Sequence, residues 1–138
     1  MAKSNRERVE DALGLVASGF GQFVEDQLRN QYGHDWIKEV TAKGNWGGKK
    51  GGQKAKLSDP DFVLWAAGFE WQSVFRKILG QTERGLIGEL RDARGSWAHN
   101  EGFTIDATYR ILDSAFMLLT AVSAPAADDV DSALTDVT

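Results

Sequence analysis

The chain is expected to fold as an all-α helical bundle of four long helices plus a short one. Three observations lead there. Apolar residues recur at three- and four-residue intervals along four separate stretches, which is the spacing of one helical face. No stretch shows the two-residue alternation of a half-buried strand, and there is no internal repeat. At 138 residues, 42% of them apolar, the chain is sized for one domain with a proper core.

The first helix opens near Ser4, where Ser4 and Glu7 have capping-box spacing. Val9, Leu13, Val16, Phe20, Phe23 or Val24, and Leu28 then sustain its stripe. Gly14, Gly19 and Gly21 weaken it by up to ~1 kcal/mol each relative to Ala. They are read as places of close helix approach, because no strand precedes them to make a nucleotide-binding loop. A short second helix is expected from His34 or Asp35 to Val40, packing through Trp36 and Ile37.

Residues 43–57 break the pattern. Between Lys43 and Lys56 stand five lysines, five glycines, one tryptophan and no acid, a composition that suits a flexible loop and no packed element. Lys49 and Lys50 could neutralise phosphates while Trp46 stacks on a base. The alternative is a solvated insertion kept soluble by its charge.

Ser58-Asp59-Pro60 supplies a cap and a proline for the first turn of the third helix. Phe62 to Phe69 is apolar nearly all round, so that segment should be buried on every side. Trp71, Val74, Phe75 and Ile78 are expected to continue its inward face until Gly80 stops it. The fourth helix begins at Gln81 and carries Leu86, Ile87, Leu90, Ala93 and Trp97 on one stripe. Asn100 to Phe103 forms a turn. The last helix is capped by Thr104 and runs through Tyr109, Leu112, Ala115, Phe116, Leu119 and Val122. Residues 125–138 follow as an acidic disordered tail or linker, leaving 1–124 as the helical domain.

The net charge of −4 is concentrated in that tail. Its last thirteen residues hold Asp128, Asp129, Asp131 and Asp136 and no base, and the rest balances 16 acids against 16 bases. With no cysteine and only two histidines, far apart, no disulfide, thiolate chemistry, metal site or cofactor is expected. No apolar run of ~18 residues is long enough to span a membrane, and the N-terminus lacks a signal-peptide core. The expectation is a cytoplasmic protein with no membrane contact.

The stretch with chemical potential is Glu89-Leu-Arg-Asp-Ala-Arg-Gly-Ser-Trp-Ala-His-Asn100. At ~100° per residue, Arg94 falls beside the apolar stripe, and His99 would lie on the far face if the helix ran on straight. Either the helix ends near Ala98 or His99 serves a surface other than the core, and both free the imidazole. From pattern alone, Arg94 reads as an ion-pair partner of Glu89 or Asp92, and His99 as a helix-terminal residue.

Arg94 and His99, with four residues between them, resemble the R-x4-6-H signature of the HEPN superfamily of small helical domains. The surrounding residues Trp71 to Leu79, Thr82 to Ile87, Glu89 to Arg94, Trp97 to Glu101 and Phe103 resemble one branch of it, which includes the HEPN domain of a nuclear-pore-linked endoribonuclease and its prokaryotic relatives. The likeness covers roughly residues 8–123. Where the family usually carries a polar residue, most often Asn, directly after the arginine, this chain has Gly95.

The resemblance implies metal-independent RNA scission. A histidine, with an ordinary pKa near ~6.5, gives and takes protons at neutral pH. An arginine is permanently charged and presents a planar fork to phosphate oxygens. His99 would assist attack of the ribose 2′-OH or protonate the leaving 5′ oxygen, and Arg94 would stabilise charge on the phosphorus. The family implies a two-fold homodimer lining one cleft with two copies of the motif, with Asn100 and Ser96 binding substrate and Arg91 and Arg110 positioning phosphate. A toxin-like or antiviral role is implied, as is a larger ATPase or nuclease-type partner. The other class of function is a HEPN module without catalysis that dimerises, binds RNA or regulates a partner.

Overall fold

The structure, a computed structural model, describes residues 3–46 and 55–137. Every regular element among them is helical: α1 (Asn5–Tyr32), α2 (Trp36–Gly44), α3 (Pro60–Phe69), a 3-10 turn (Phe75–Lys77), α4 (Gln81–Ala98), α5 (Ile105–Ala121) and α6 (Ala126–Val137). The all-α class is the one the apolar spacing implied, although the elements are divided differently.

α1 starts at a complete capping box. Ser4 Oγ accepts from the Glu7 amide at 3.1 Å, and the Glu7 carboxylate accepts from the Ser4 amide at 3.2 Å. It ends at Gly33, whose φ of 87° is a conformation that a side chain would resist. Val9, Val16, Phe20, Val24 and Leu28 are fully buried along its length, and the other five helices all pack against it. Phe62, Leu64, Phe75, Leu90, Leu112 and Leu118 share one buried cluster with Val16, Phe20, Val24 and Leu28. Burying side chains of this size contributes ~1.5–3 kcal/mol each.

The third helix is shorter than its apolar run suggested. It ends at Phe69, and the chain then turns so that Trp71, Val74, Phe75 and Leu79 are buried while Ile78 is left 48% exposed. The turn is organised by Glu70, which is only 1% exposed. Its carboxylate accepts from Tyr32 Oη at 2.7 and 2.8 Å, Ser73 Oγ at 2.8 Å and Lys43 Nζ at 3.0 Å. Burial pushes this carboxyl up, but the three hydrogen bonds and the nearby ammonium outweigh that and hold it below the usual carboxylate range. A buried carboxylate needs such partners, and a straight helix through residues 70–78 would not supply them.

The acidic tail is ordered as α6, which corrects the expectation of a frayed end. Ala127, Val130 and Leu134 recur at helical spacing and are buried, while Asp128, Asp129, Asp131 and Asp136 face outward. The small apolar residues were overshadowed by the acids around them. Ser123, at φ 58°, and the Ala124 amide, bonded to the Leu119 carbonyl at 2.9 Å, turn the chain back so that α6 lies on α5 and α1. Gly19 makes the approach possible: a Cβ there would stand 2.7 Å from Leu119 and 3.1 Å from Ala124.

Candidate functional site

α4 carries the motif, and its end resolves the ambiguity over His99. The helix starts with the Gly80 amide bonded to the Glu83 carboxylate at 2.8 Å and runs 18 residues to Ala98. His99 is its C-cap. Its amide bonds to the Gly95 carbonyl at 3.0 Å, and the side chain is exposed. Asn100 follows at φ 61°, a left-handed conformation that Asn tolerates, with its amide on the Trp97 carbonyl at 3.1 Å. The imidazole therefore stands at the corner between α4 and α5.

Two side chains from the first turn of α1 hold this corner. Arg6 Nη2 donates to the Trp97 carbonyl at 2.8 Å, with the guanidinium 4.9 Å over the Trp97 ring. Asn5 Nδ2 donates to the Phe103 carbonyl at 2.9 Å. The turn bearing His99 and Asn100 is thus pinned just before and just after. Sequence reasoning missed both residues, since partners more than ninety positions away leave no local signal.

Arg94 is half-buried one helical turn earlier and faces the start of α3. Its Nη2 lies 3.8 Å from Asp59 Oδ1, so its ion-pair partner is neither Glu89 nor Asp92 but a residue brought in from another helix. Asp59 caps α3, accepting from the Asp61 amide at 2.9 Å. Arg91 Nε donates to Asp61 Oδ1 at 3.2 Å. Two arginines spaced by three residues on α4 therefore clasp two carboxylates at the start of α3. Glu10, Leu13 and Gly14 of α1 close a pocket of about 280 Å3 with Pro60, Arg94 and Trp97.

Ser96 and Arg110 belong to a different groove. Ser96 lies about 200° around α4 from Arg94 at helical spacing, and it helps line a depression of about 430 Å3 between α4 and α5. There Arg110 Nη2 donates to Glu89 Oε1 at 2.8 Å and Ser114 Oγ to Glu89 Oε2 at 2.8 Å. The Arg110 hydrogen bond, seconded by Ser114, draws the Glu89 carboxyl below its ordinary range. The structure thus gathers Arg91 with Arg94, His99 with Asn100, and Ser96 with Arg110, in three adjoining places around the end of α4.

Lys49 and Lys50 lie outside the described residues. Trp46 does not: its ring stands 4.8 Å from that of Trp65 and 5.3 Å from that of Phe62. It is partly buried and packs against the core, rather than standing clear of it. Among the described residues, no cluster of three or more His, Cys, Asp or Glu side chains is arranged to hold a metal ion, and no helix is long and apolar enough to cross a membrane.

Comparison with curated proteins and with solved structures returns no match. A family model described as Swt1-like HEPN, however, matches residues 11–123. That span covers most of α1, all of α2 to α5, and both Arg94 and His99. The chain belongs to the Swt1-like HEPN family.

Proposed function

We propose that the chain is a metal-independent endoribonuclease module that acts in the cytoplasm as a homodimer through Arg94 and His99, in toxin-like or antiviral defence. The reading rests on one observation. His99 stands exposed at the end of α4, five residues past an arginine on a pocket wall, inside the stretch that the family covers. In this mechanism His99 takes the proton of a ribose 2′-OH as the 2′ oxygen bonds to phosphorus, or delivers one to the 5′ oxygen as its bond to phosphorus breaks. Arg94 stabilises the charge gathering on the phosphoryl oxygens. Its distance of 3.8 Å to Asp59 is longer than a hydrogen bond, so exchanging that partner for phosphate costs little.

Asn100, next to His99, and Ser96, from the groove between α4 and α5, contact substrate, and Arg91 and Arg110 serve phosphates farther along the strand, together with Lys49 and Lys50. A two-fold partner fits beside the corner, where Ile105 and Tyr109, one turn apart on α5, are 65% and 41% exposed. The test is cleavage of single-stranded and structured RNA in EDTA. Cleavage leaving 2′,3′-cyclic phosphate ends, and falling by ~10²-fold or more in His99→Ala, supports the reading, as does DNA left uncut. An intact dimer that cuts no RNA overturns it.

A second reading has its own observation. Asp59 occupies Arg94, and Gly95 stands where the family usually has a polar residue. Both suit a module without catalysis that dimerises, binds RNA or regulates a larger ATPase or nuclease partner. A Cβ on Gly95 would meet nothing within 4 Å, so Gly95→Asn should fold normally. A large gain in cutting by that variant would identify a degenerate nuclease site, and no gain would favour the regulatory reading.

A further inference from the structure

The glycines of α1 do not share one role. A Cβ on Gly19 would collide with Leu119, and one on Gly21 would touch Val63 at 3.4 Å, so these two serve packing. A Cβ on Gly14 would meet nothing within 4 Å. Gly14 instead opens onto the pocket of about 280 Å3 whose far wall is Arg94 and Trp97. That volume is just under the ~300 Å3 at which pockets for drug-sized ligands begin, so it suits one flat ring system. Leu13, Pro60 and the Trp97 indole give it apolar walls, and Arg6 fixes the indole in place. Its polar contributions are Ser58, Arg94 with its ion-pair partner Asp59, and Glu10, which is the carboxylate of the lining that no ion pair engages among the described residues.

We propose that this pocket receives one nucleobase of a bound RNA, the base next to the phosphate that Arg94 contacts, and that Glu10 makes guanine the preferred base. The placement beside a phosphate rests on the nuclease reading of Arg94, whereas the pocket and its chemistry do not. A carboxylate has two acceptor oxygens and no donor. Guanine offers two adjacent donors, N1–H and N2–H2, on one edge, and so pairs with both oxygens at once. Adenine and cytosine place a bare ring nitrogen beside their amino group, which faces the carboxylate with like charge. Uracil flanks its single N–H with two carbonyls. The apolar walls hold any base by its faces, and the carboxylate chooses among them.

The experiment is calorimetric titration of the chain with 3′-GMP, 3′-AMP, 3′-CMP and 3′-UMP, paired with RNA cleavage in EDTA. Wild type should bind 3′-GMP roughly tenfold or more tightly than the others, a ratio within reach of one bidentate contact. Glu10→Gln should level the four affinities. Gly14→Leu fills the pocket from a helical position with free space and should abolish binding with its circular dichroism unchanged. Should that variant fail to fold, the near-isosteric Glu10→Gln carries the test. Equal affinities, no binding of any nucleotide, or unimpaired 3′-GMP binding by folded Gly14→Leu would overturn the proposal. His99-dependent cleavage without guanine preference would sink the pocket and keep the nuclease. Guanine-selective binding, lost in Gly14→Leu, without cleavage would do the reverse.

Discussion

Arg6 and Trp97, 91 positions apart, are joined twice: by a 2.8 Å hydrogen bond to the Trp97 carbonyl and by the guanidinium lying 4.9 Å over the indole. That carbonyl also accepts from the Asn100 amide, so the contact bears directly on the corner that carries His99. Substituting Arg6 by Ala removes a charged hydrogen bond and a cation–π contact, together worth ~2–4 kcal/mol in favourable settings. Arg6 Nη1 is buried with no acceptor among the described residues, which offsets part of that. The expected net loss is ~1–2 kcal/mol, read from urea unfolding. Arg6→Lys should recover only part of it, because an ammonium lacks the fork.

The Glu70 network makes a pH prediction whose sign can be worked through. Its native carboxyl lies below the ordinary range, so around the ordinary glutamate value of ~4.3 the unfolded chain binds more protons than the folded one. The stabilisation is complete above that value and is lost as pH falls through the native one. Unfolding midpoints should decline more steeply below pH ~4 in wild type than in Glu70→Gln. At neutral pH the variant should be less stable by ~2–3 kcal/mol, since three donors lose a charged acceptor. Parallel acid profiles for the two proteins would contradict this account.

Asp59→Asn separates capping from charge at that side chain. Asn caps helices as well as Asp does, so α3 should keep its start, and losing a partly exposed 3.8 Å ion pair should cost ~0–1 kcal/mol. The Arg94 guanidinium is then left without its carboxylate. Affinity for single-stranded RNA should rise several-fold at low salt and converge with wild type at high salt, as expected for one more available cation. Filter binding across a salt series would show it. Unchanged affinity at every salt concentration would mean that Arg94 does not face the RNA.

Val130→Asp tests whether α6 belongs to the body of the protein. Val130 is fully buried, and an unpaired carboxylate there should cost more than ~3 kcal/mol. On a frayed segment the same change would stay within ~0.5 kcal/mol. Thermal unfolding followed by circular dichroism distinguishes the two.

Much of the fold was readable because it is written in local periodicity. The capping box at Ser4, the stripe of α1, the start of α3 at Pro60 and the cap at Thr104 all depend on residues within a few positions of each other. What escaped depends on distance. The break after Phe69 exists because Tyr32 and Lys43 converge on Glu70 from other helices, and an apolar run contains no sign of that. α6 escaped because three small buried residues are outnumbered by exposed aspartates. Arg94, His99 and Asn100 of the candidate site were singled out through a family pattern. Asp59, which pairs with Arg94, and Arg6 and Asn5, which hold Trp97 and Phe103 on either side of the corner, were not, because long-range contacts follow from the tertiary fold and have no spacing of their own.

The outward face of α6 has an effect beyond packing. Asp128, Asp129, Asp131 and Asp136 are fixed on an ordered helix, with no base among the last thirteen residues, while the remainder of the chain is electrically balanced. The chain's surplus of acids is therefore gathered along the outward face of one helix. A polyanion diffusing toward the molecule is repelled from that face and turned toward the others within about a Debye length, ~10 Å at 0.1 M salt. Ordering the acids gives the encounter a preferred direction, which the same four charges spread along a loose tail would blur.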